Sequence, residues 1–123
     1  MNVNVEDVCH FSWISLKTNS LDVRDFDTLK KTFVSSSKFE GARIELKNFN
    51  EEEELSYIWG PGFFIDRARK WYFRMKEFEE KILLVEATHP FPVILQGYYR
   101  INFDICEMTD VPNGAIVQDY NEN

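Results

Sequence analysis

The chain has 123 residues, of which 44% are hydrophobic and 15% aromatic, and its formal net charge at pH 7 is −7. This length supports one hydrophobic core and is too short for two domains. The negative charge disfavours nucleic acid and anionic membranes as partners, and no apolar run reaches the ~18–20 residues of a membrane span. Because no secretory signal opens the chain, we expect a cytoplasmic protein with one domain over residues 1–119 and a flexible tail over residues 120–123.

The first two patterns in chain order are a strand and a helix. Residues 8–17 are rich in aromatic and β-branched side chains, which predicts a strand. Residues 23–39 follow with apolar side chains at helical spacing, and either Asp22 or Asp25 can cap the N-terminus. The apolar positions of this predicted helix are Val23, Phe26, Leu29 and Phe33.

A hairpin is predicted next. Residues 42–47 alternate between apolar and polar side chains, as a half-buried strand does. A polar loop over residues 48–53 separates them from Leu55, Tyr57 and Trp59, whose alternation predicts the second arm of the hairpin.

The clearest helical periodicity lies beyond the Gly-Pro-Gly turn at residues 60–62. Apolar residues repeat there with spacings that fit one face of a helix, at Phe64, Ala68, Trp71, Met75, Phe78 and Ile82. This pattern predicts an amphipathic helix packed against the sheet. A strand through residues 71–75 is the alternative, and it would leave Phe78 on the wrong face.

The C-terminal part of the chain predicts two further strands. The first is a short apolar run over residues 82–87, and the second is the long alternating stretch over residues 93–108. Its apolar face carries Val93, Leu95, Tyr99, Ile101, Phe103 and Ile105, and its polar face carries Gln96, Tyr98, Arg100, Asn102, Asp104 and Cys106. Residues 115–117 are expected to pair as a short edge strand after the turn at residues 112–114.

Taken together, these elements predict the α+β class, with an antiparallel sheet and two helices on one of its faces. The order of the first six elements is β-α-β-β-α-β, followed by the long C-terminal strand. That order matches the ferredoxin-like split βαβ topology, in which right-handed crossovers place both helices on the same side.

The common sequence signatures of catalysis are missing. The chain has only two histidines, and His10 cannot serve Cys9 as a base because neighbouring residues of a strand point to opposite faces. No phosphate-binding loop, nucleophile elbow or metal-ligand spacing occurs. We therefore assign no catalytic residue, no metal site and no cofactor.

Two polar groups are candidate partner-binding residues. One is the run of Glu51, Glu52, Glu53 and Glu54; the other is the outer strand face with Tyr98, Arg100, Asn102 and Asp104. We expect a non-catalytic acidic protein-binding module, of the inhibitor or immunity type, that neutralises a basic partner enzyme. The alternative is a small-molecule or nucleotide-binding enzyme with a pocket around Arg100, Asp104, Tyr98 and His89. Either group can also be plain solvated surface.

The two cysteines lead to the first testable prediction. Cys9 and Cys106 form no CxxC or zinc-binding spacing, and we expect both to be free thiols. Thiol titration of the denatured, unreduced protein should find two reactive groups. A count of zero would indicate a disulfide and an oxidising compartment.

Overall fold

The computed structural model describes residues 13–18, 21–36, 38–47, 52–65, 68–76, 78, 80–88 and 99–119. The helices and strands in these ranges are, in chain order, β1 (Trp13–Thr18), α1 (Val23–Val34), β2 (Gly41–Leu46), α2 (Glu52–Trp59), β3 (Phe63–Ile65), β4 (Ala68–Arg74), β5 (Lys81–Thr88), β6 (Tyr99–Glu107) and β7 (Val117–Gln118). A 3₁₀ turn at Met108–Asp110 follows β6. Within these ranges no helix has the length and apolar character needed to cross a bilayer.

The strands form one mixed sheet in the order β1-β2-β6-β5-β4-β3, and β7 also pairs with β4. β1 and β2 are parallel, which requires a crossover between them, and α1 lies in that connection. The pairs from β2 to β3 along this order are antiparallel, and β7 runs parallel to β4. The architecture is therefore of the predicted α+β class.

Both helices cover the same face of the sheet. The ring of Phe33 in α1 meets that of Phe103 in β6 edge to face, with centroids 5.2 Å apart. The ring of Trp59 in α2 meets that of Trp71 in β4 in the same way, at 5.3 Å. Because Trp71 and Phe103 both lie in register with Val85 of β5, they point to the same side. The expectation of two helices on one face is confirmed.

Helix α1 begins as its sequence predicts. The Asp22 carboxylate accepts a hydrogen bond from the backbone N–H of Asp25, and the Asp25 carboxylate accepts one from the N–H of Asp22. This capping box satisfies two of the N–H groups that a helix start leaves without partners. The helix ends at Val34, five residues before the end of the predicted stretch, because Ser35 takes up its C-cap.

Residues 52–59 form α2, so the predicted strand through Leu55, Tyr57 and Trp59 is wrong. Leu55 and Trp59 are buried one helical turn apart, whereas the side chain of Tyr57 is 90% exposed. In a strand all three side chains would point to one face, and the described part of the fold offers no surface on which Tyr57 could pack together with Leu55 and Trp59. The acidic residues before Leu55 favour the N-terminus of a helix, where the helix dipole attracts negative charge.

Residues 63–65 and 68–74 form β3 and β4, so the predicted helix from Phe64 to Ile82 is also wrong. Its apolar spacing arose from two residues that are not in the core, since Phe64 is 62% exposed and Phe78 is 43% exposed. The run Trp71, Tyr72, Phe73 is aromatic at every position, which suits a strand buried on both faces. The chain therefore does not follow the β-α-β-β-α-β order of a ferredoxin-like fold.

The other strand predictions agree with the structure where it is described. Residues 42–47 correspond to β2, residues 82–87 to β5 and the end of the long alternating stretch to β6. The predicted edge strand at residues 115–117 appears as β7, shifted toward the C-terminus. The predictions for residues 8–12, 48–51, 89–98 and 120–123 lie outside the described residues.

The burial of Trp71 gives a stability prediction. Its side chain is 1% exposed and packs against Trp59, so Trp71→Ala should lower the free energy of unfolding by ~3–5 kcal/mol. Urea denaturation followed by far-UV circular dichroism measures this change. The matched control is Tyr57→Ala, which removes an exposed ring and should change stability by about 0.5 kcal/mol or less. Equal effects of the two substitutions would contradict the packing described here.

Candidate functional site: the polar outer face of the sheet

The sheet face opposite the helices carries an ordered array of polar side chains, here called the outer face. Strand register sets Arg43 of β2 beside Asn102 of β6, and Asn102 beside Glu86 of β5. Register also sets Glu86 beside Lys70 of β4, which completes a polar row across four strands. The outer face comprises Trp13, Arg43, Glu45, Lys70, Tyr72, Glu86, Arg100, Asn102, Asp104 and Cys106.

Opposite charges alternate along this face. The Arg100 Nη2 lies 3.4 Å from the Glu45 Oε2, and the Lys70 Nζ lies 4.0 Å from the Glu86 Oε2. All four side chains are partly exposed, so these pairs add little to stability because water screens them. Their effect is to fix the positions of charges of both signs at defined points of a rigid sheet.

Trp13 extends the outer face at the β1 edge. It lies in register with Gly41 of β2, and a Cβ atom at Gly41 would collide with the Trp13 ring. Glycine at this position therefore lets the ring lie against the backbone of β2. Half of the Trp13 side chain is still exposed, which leaves an aromatic surface beside the polar row.

Asn102 occupies the centre of the polar row. Its Oδ1 is buried, and the described residues provide it with no hydrogen-bond donor. A buried acceptor without a donor costs free energy, about 1–3 kcal/mol in typical cases. Among the described residues, the centre of the outer face therefore has an acceptor that a donor from a partner could satisfy.

Burial changes the acidity of three neighbouring groups on this face. It raises the pKa of the Asp104 carboxyl, although the Arg43 guanidinium lowers it in part. It also raises the pKa of the Cys106 thiol, as do the carboxylates of Asp110, Glu107 and Asp104, while Lys70 lowers it. The pKa of Tyr72 is raised by burial, then by Cys106 and Glu86. The thiol therefore stays protonated at neutral pH, and a protonated thiol is a poor nucleophile.

The structure brings some of the predicted site residues together and separates others. Arg100, Asn102 and Asp104 share the outer face, because they occupy alternate positions of β6 and point the same way. Glu53 and Glu54 are exposed on α2, which covers the opposite face of the sheet, and Glu52 is the first residue of that helix. Glu51, Tyr98 and His89 lie outside the described residues, as do Cys9 and His10, whereas Cys106 is a free thiol.

Of the ten residues of the outer face, sequence reasoning assigned only Arg100, Asn102 and Asp104 to the candidate site. Arg43 and Glu45 are the polar positions of an alternating strand, which was a visible signal of an outward face. Lys70 and Glu86 carried no such signal, because β4 and β5 are buried on both faces over part of their length. Their place beside Asn102 depends on strand pairing between distant segments, which local periodicity does not show.

Comparison with known proteins gives one partial match. A family model described as the FTH domain matches residues 1–58, which is less than half of the chain. Among the described residues this similarity covers β1, α1, β2 and nearly all of α2. No curated protein and no solved structure matches the chain. Within the described ranges, no group of three or more histidine, cysteine or carboxylate side chains is placed to hold a metal ion.

The raised pKa of Asp104 predicts a pH-dependent effect on stability. Burial penalises the charged carboxylate in the folded state, so above the ordinary pKa of aspartate, about 3.9, ionisation favours unfolding. Asp104→Asn should therefore raise the melting temperature slightly at pH 7. The difference in melting temperature between Asp104→Asn and the unmodified chain should shrink as the pH falls toward 3. At that pH the Asp104 carboxyl is protonated in both the folded and the unfolded chain.

Melting curves between pH 3 and pH 8 test this sign. The matched control is Thr28→Ser, which changes an exposed side chain of α1 that has no ionisable group, so its effect on the melting temperature should not depend on pH. An Asp104→Asn advantage that grows on acidification would contradict the burial described for this carboxyl group.

Proposed function

We propose that this chain is a non-catalytic protein-binding module that contacts its partner through the outer face. The observation that carries the proposal is the row of Arg43, Asn102, Glu86 and Lys70, in register across four adjacent strands. Strands lie ~4.8 Å apart, so this row extends over roughly 15 Å. A patch of that width suits a macromolecular surface better than it suits a small ligand.

Three properties of the face support protein recognition. Its groups are held by the sheet backbone, so little conformational entropy is lost when a partner orders them. Its charges alternate in sign, an arrangement that selects a partner of matching pattern and fixes the orientation of the complex. The exposed Trp13 ring adds the kind of aromatic anchor that interfaces favour.

The finer form of the proposal is an inhibitor or immunity-type protein that neutralises a basic enzyme. The net charge of −7 supports it, because an acidic protein accelerates its encounter with a basic partner. Glu53 and Glu54 contribute to this attraction from the helical side of the molecule without touching a partner bound at the outer face.

The second candidate is a small-molecule or nucleotide-binding enzyme that uses Arg100 and Asp104. The raised pKa of the half-buried Asp104 carboxyl favours it, since acid–base groups in active sites often show such shifts. An enzyme of this kind needs a concave site around those residues. Neither residue lines two of the cavities formed by described residues, one at residues 59–63, 70–72, 114–116 and 118 and one around Phe39 and Met75, so we rank this function second.

Binding kinetics on variants of each surface test the proposal. The partner is first captured with the tagged chain, chemically cross-linked and identified by mass spectrometry, and its association is then followed by stopped-flow fluorescence. Arg100→Gln should raise the dissociation rate about tenfold or more, because a charged contact inside an interface acts mainly on dissociation. The double variant Glu53→Lys with Glu54→Lys should slow association and reduce its salt dependence.

The matched control for Arg100→Gln is Arg24→Gln, which removes an exposed arginine from α1 on the helical side. It should leave the dissociation rate unchanged. If cross-links map to the helical side and Arg100→Gln is without effect, the outer face is not the interface. If no protein partner is captured, and Arg100→Gln instead abolishes turnover of a small molecule, the chain is an enzyme and the binding-module proposal is wrong.

A further inference from the structure

The edge of the sheet at β4 is occupied by two very short strands in succession. β3 pairs with residues Ala68 to Lys70 of β4, and β7 pairs with Tyr72 and Phe73. Trp71 lies between these two pairings. The edge is therefore interrupted at its middle, and this interruption coincides with a cavity.

The cavity has a volume of about 150 Å³ and is lined mainly by aromatic and small side chains. Trp59, Trp71, Tyr72 and Phe63 form its aromatic walls, and Ala115 and Ile116 lie on the β7 side. An apolar cavity of about this volume is large enough to hold a benzene ring. Its size therefore fits one apolar side chain.

Hydrogen bonds hold the walls of this cavity in place. The Trp71 Nε1 donates to the Gly60 carbonyl at 2.8 Å, and the Gln118 side-chain amide donates to the Trp59 carbonyl. Gly62 has a φ of +75°, and a Cβ there would lie 2.8 Å from the Arg69 Cγ. The cavity is thus preformed by the turn between α2 and β3, which lowers the entropic cost of filling it.

The rim of the cavity is apolar and exposed. Phe64 and Ile65 of β3 are well exposed, and Ile116 beside β7 is 71% exposed. Among the described residues β3 pairs only with β4, so no described strand pairs with its other edge. Natural proteins usually protect such an edge by keeping its strand very short, as β3 is, or with charged side chains or proline. The three residues of β3 carry neither, which suits an edge that receives another strand.

The charges next to this edge are positive although the chain as a whole is acidic. β4 carries Arg69, Lys70 and Arg74 and no acidic residue, although the carboxylates of Glu86 and Asp119 lie 4.0 Å from the Lys70 Nζ and 3.5 Å from the Arg74 Nε. Lys70 lines the cavity, and the Arg69 guanidinium carbon lies 5.8 Å from the centroid of the Phe64 ring. An acidic side chain on a bound segment would therefore be attracted to this edge. Two copies of this chain paired through β3 would instead bring two basic strands together.

We propose that the β3 edge binds an extended segment of a partner protein, whose backbone pairs with β3 and whose apolar side chain fills the cavity. An acidic residue of the same segment lies next to Lys70. This site shares Lys70 and Tyr72 with the outer face, but the β3 edge and the β7 side of the cavity lie outside that face, so variants of Phe64 and Ala115 test it apart from the outer-face interface.

Selection from a peptide library tests the proposal. Random twelve-residue peptides displayed on phage are selected on the immobilised chain, and the most enriched peptide is synthesised with a fluorescent label. Enriched sequences should alternate apolar residues and carry Asp or Glu. Peptide affinity is measured by fluorescence anisotropy. Two methylated peptides are compared, one with the odd-numbered and one with the even-numbered backbone nitrogens methylated. One of the two should bind at least tenfold more weakly, because methylation removes the N–H groups that pair with β3.

Substitutions in the chain locate the bound peptide. Ala115→Trp fills the cavity and Phe64→Asp places a charge on the β3 edge, and each should weaken binding at least tenfold. Lys70→Glu should weaken acidic peptides and not neutral ones. Tyr57→Ser is the matched control. Because Tyr57 is exposed on α2, this substitution should leave the peptide affinity unchanged. Circular dichroism confirms that each variant is folded.

Three outcomes would overturn the proposal. The first is a selection without enriched sequences. The second is peptide binding that survives both Ala115→Trp and Phe64→Asp in folded protein. The third is a dimer, seen by analytical ultracentrifugation, that Phe64→Asp dissociates; this result would show that the edge binds a second copy of the chain.

Discussion

The indole of Trp59 connects the three parts of this fold, and the rest of the structure depends on it. Its Nε1 donates a 3.0 Å hydrogen bond to the Asp27 carboxylate, which joins α2 to α1. Its ring packs edge to face on Trp71 and Phe73, which joins α2 to β4. A helix of eight residues is not stable alone in water, so α2 exists because these contacts hold its last residue. The Trp59 carbonyl also accepts the Gln118 amide, so the same residue positions β7 and the wall of the edge cavity.

Asp27 also allows the core around Trp59 to contain a buried cation. The Lys30 side chain is fully buried, with its Nζ 3.9 Å from the Asp27 Oδ1 and 4.9 Å from the centroid of the Phe73 ring. Burying an ammonium group is costly unless a negative charge or an aromatic face compensates it. Asp27 lies close to Lys30, Lys31 and the Trp59 indole at once, so the polar and aromatic parts of the core are coupled through one carboxylate.

The parts of the fold that could be predicted from sequence are those that follow from local periodicity. β2 and the described part of the long strand alternate because one face of each is buried, β5 is a short apolar run, and the capping residues of α1 mark its start. The two errors have a common cause, which is that Tyr57, Phe64 and Phe78 are apolar and exposed. Periodicity treats every apolar residue as core, so exposed rings shift the inferred period. The outer-face array and the edge cavity depend on pairing between distant strands, which no local pattern contains.

The position of β6 in the sheet has a consequence for synthesis of the chain. β2 lies between β1, which precedes it closely, and β6, which ends at Glu107 near the C-terminus. As the chain leaves the ribosome, the segment that resembles an FTH domain can form β1, α1 and β2 but has no partner for the second edge of β2. Such an open edge can pair wrongly with other nascent chains. The second edge of β2 stays open until β6 has been synthesised, and a contact between segments so far apart in sequence is expected to form relatively slowly.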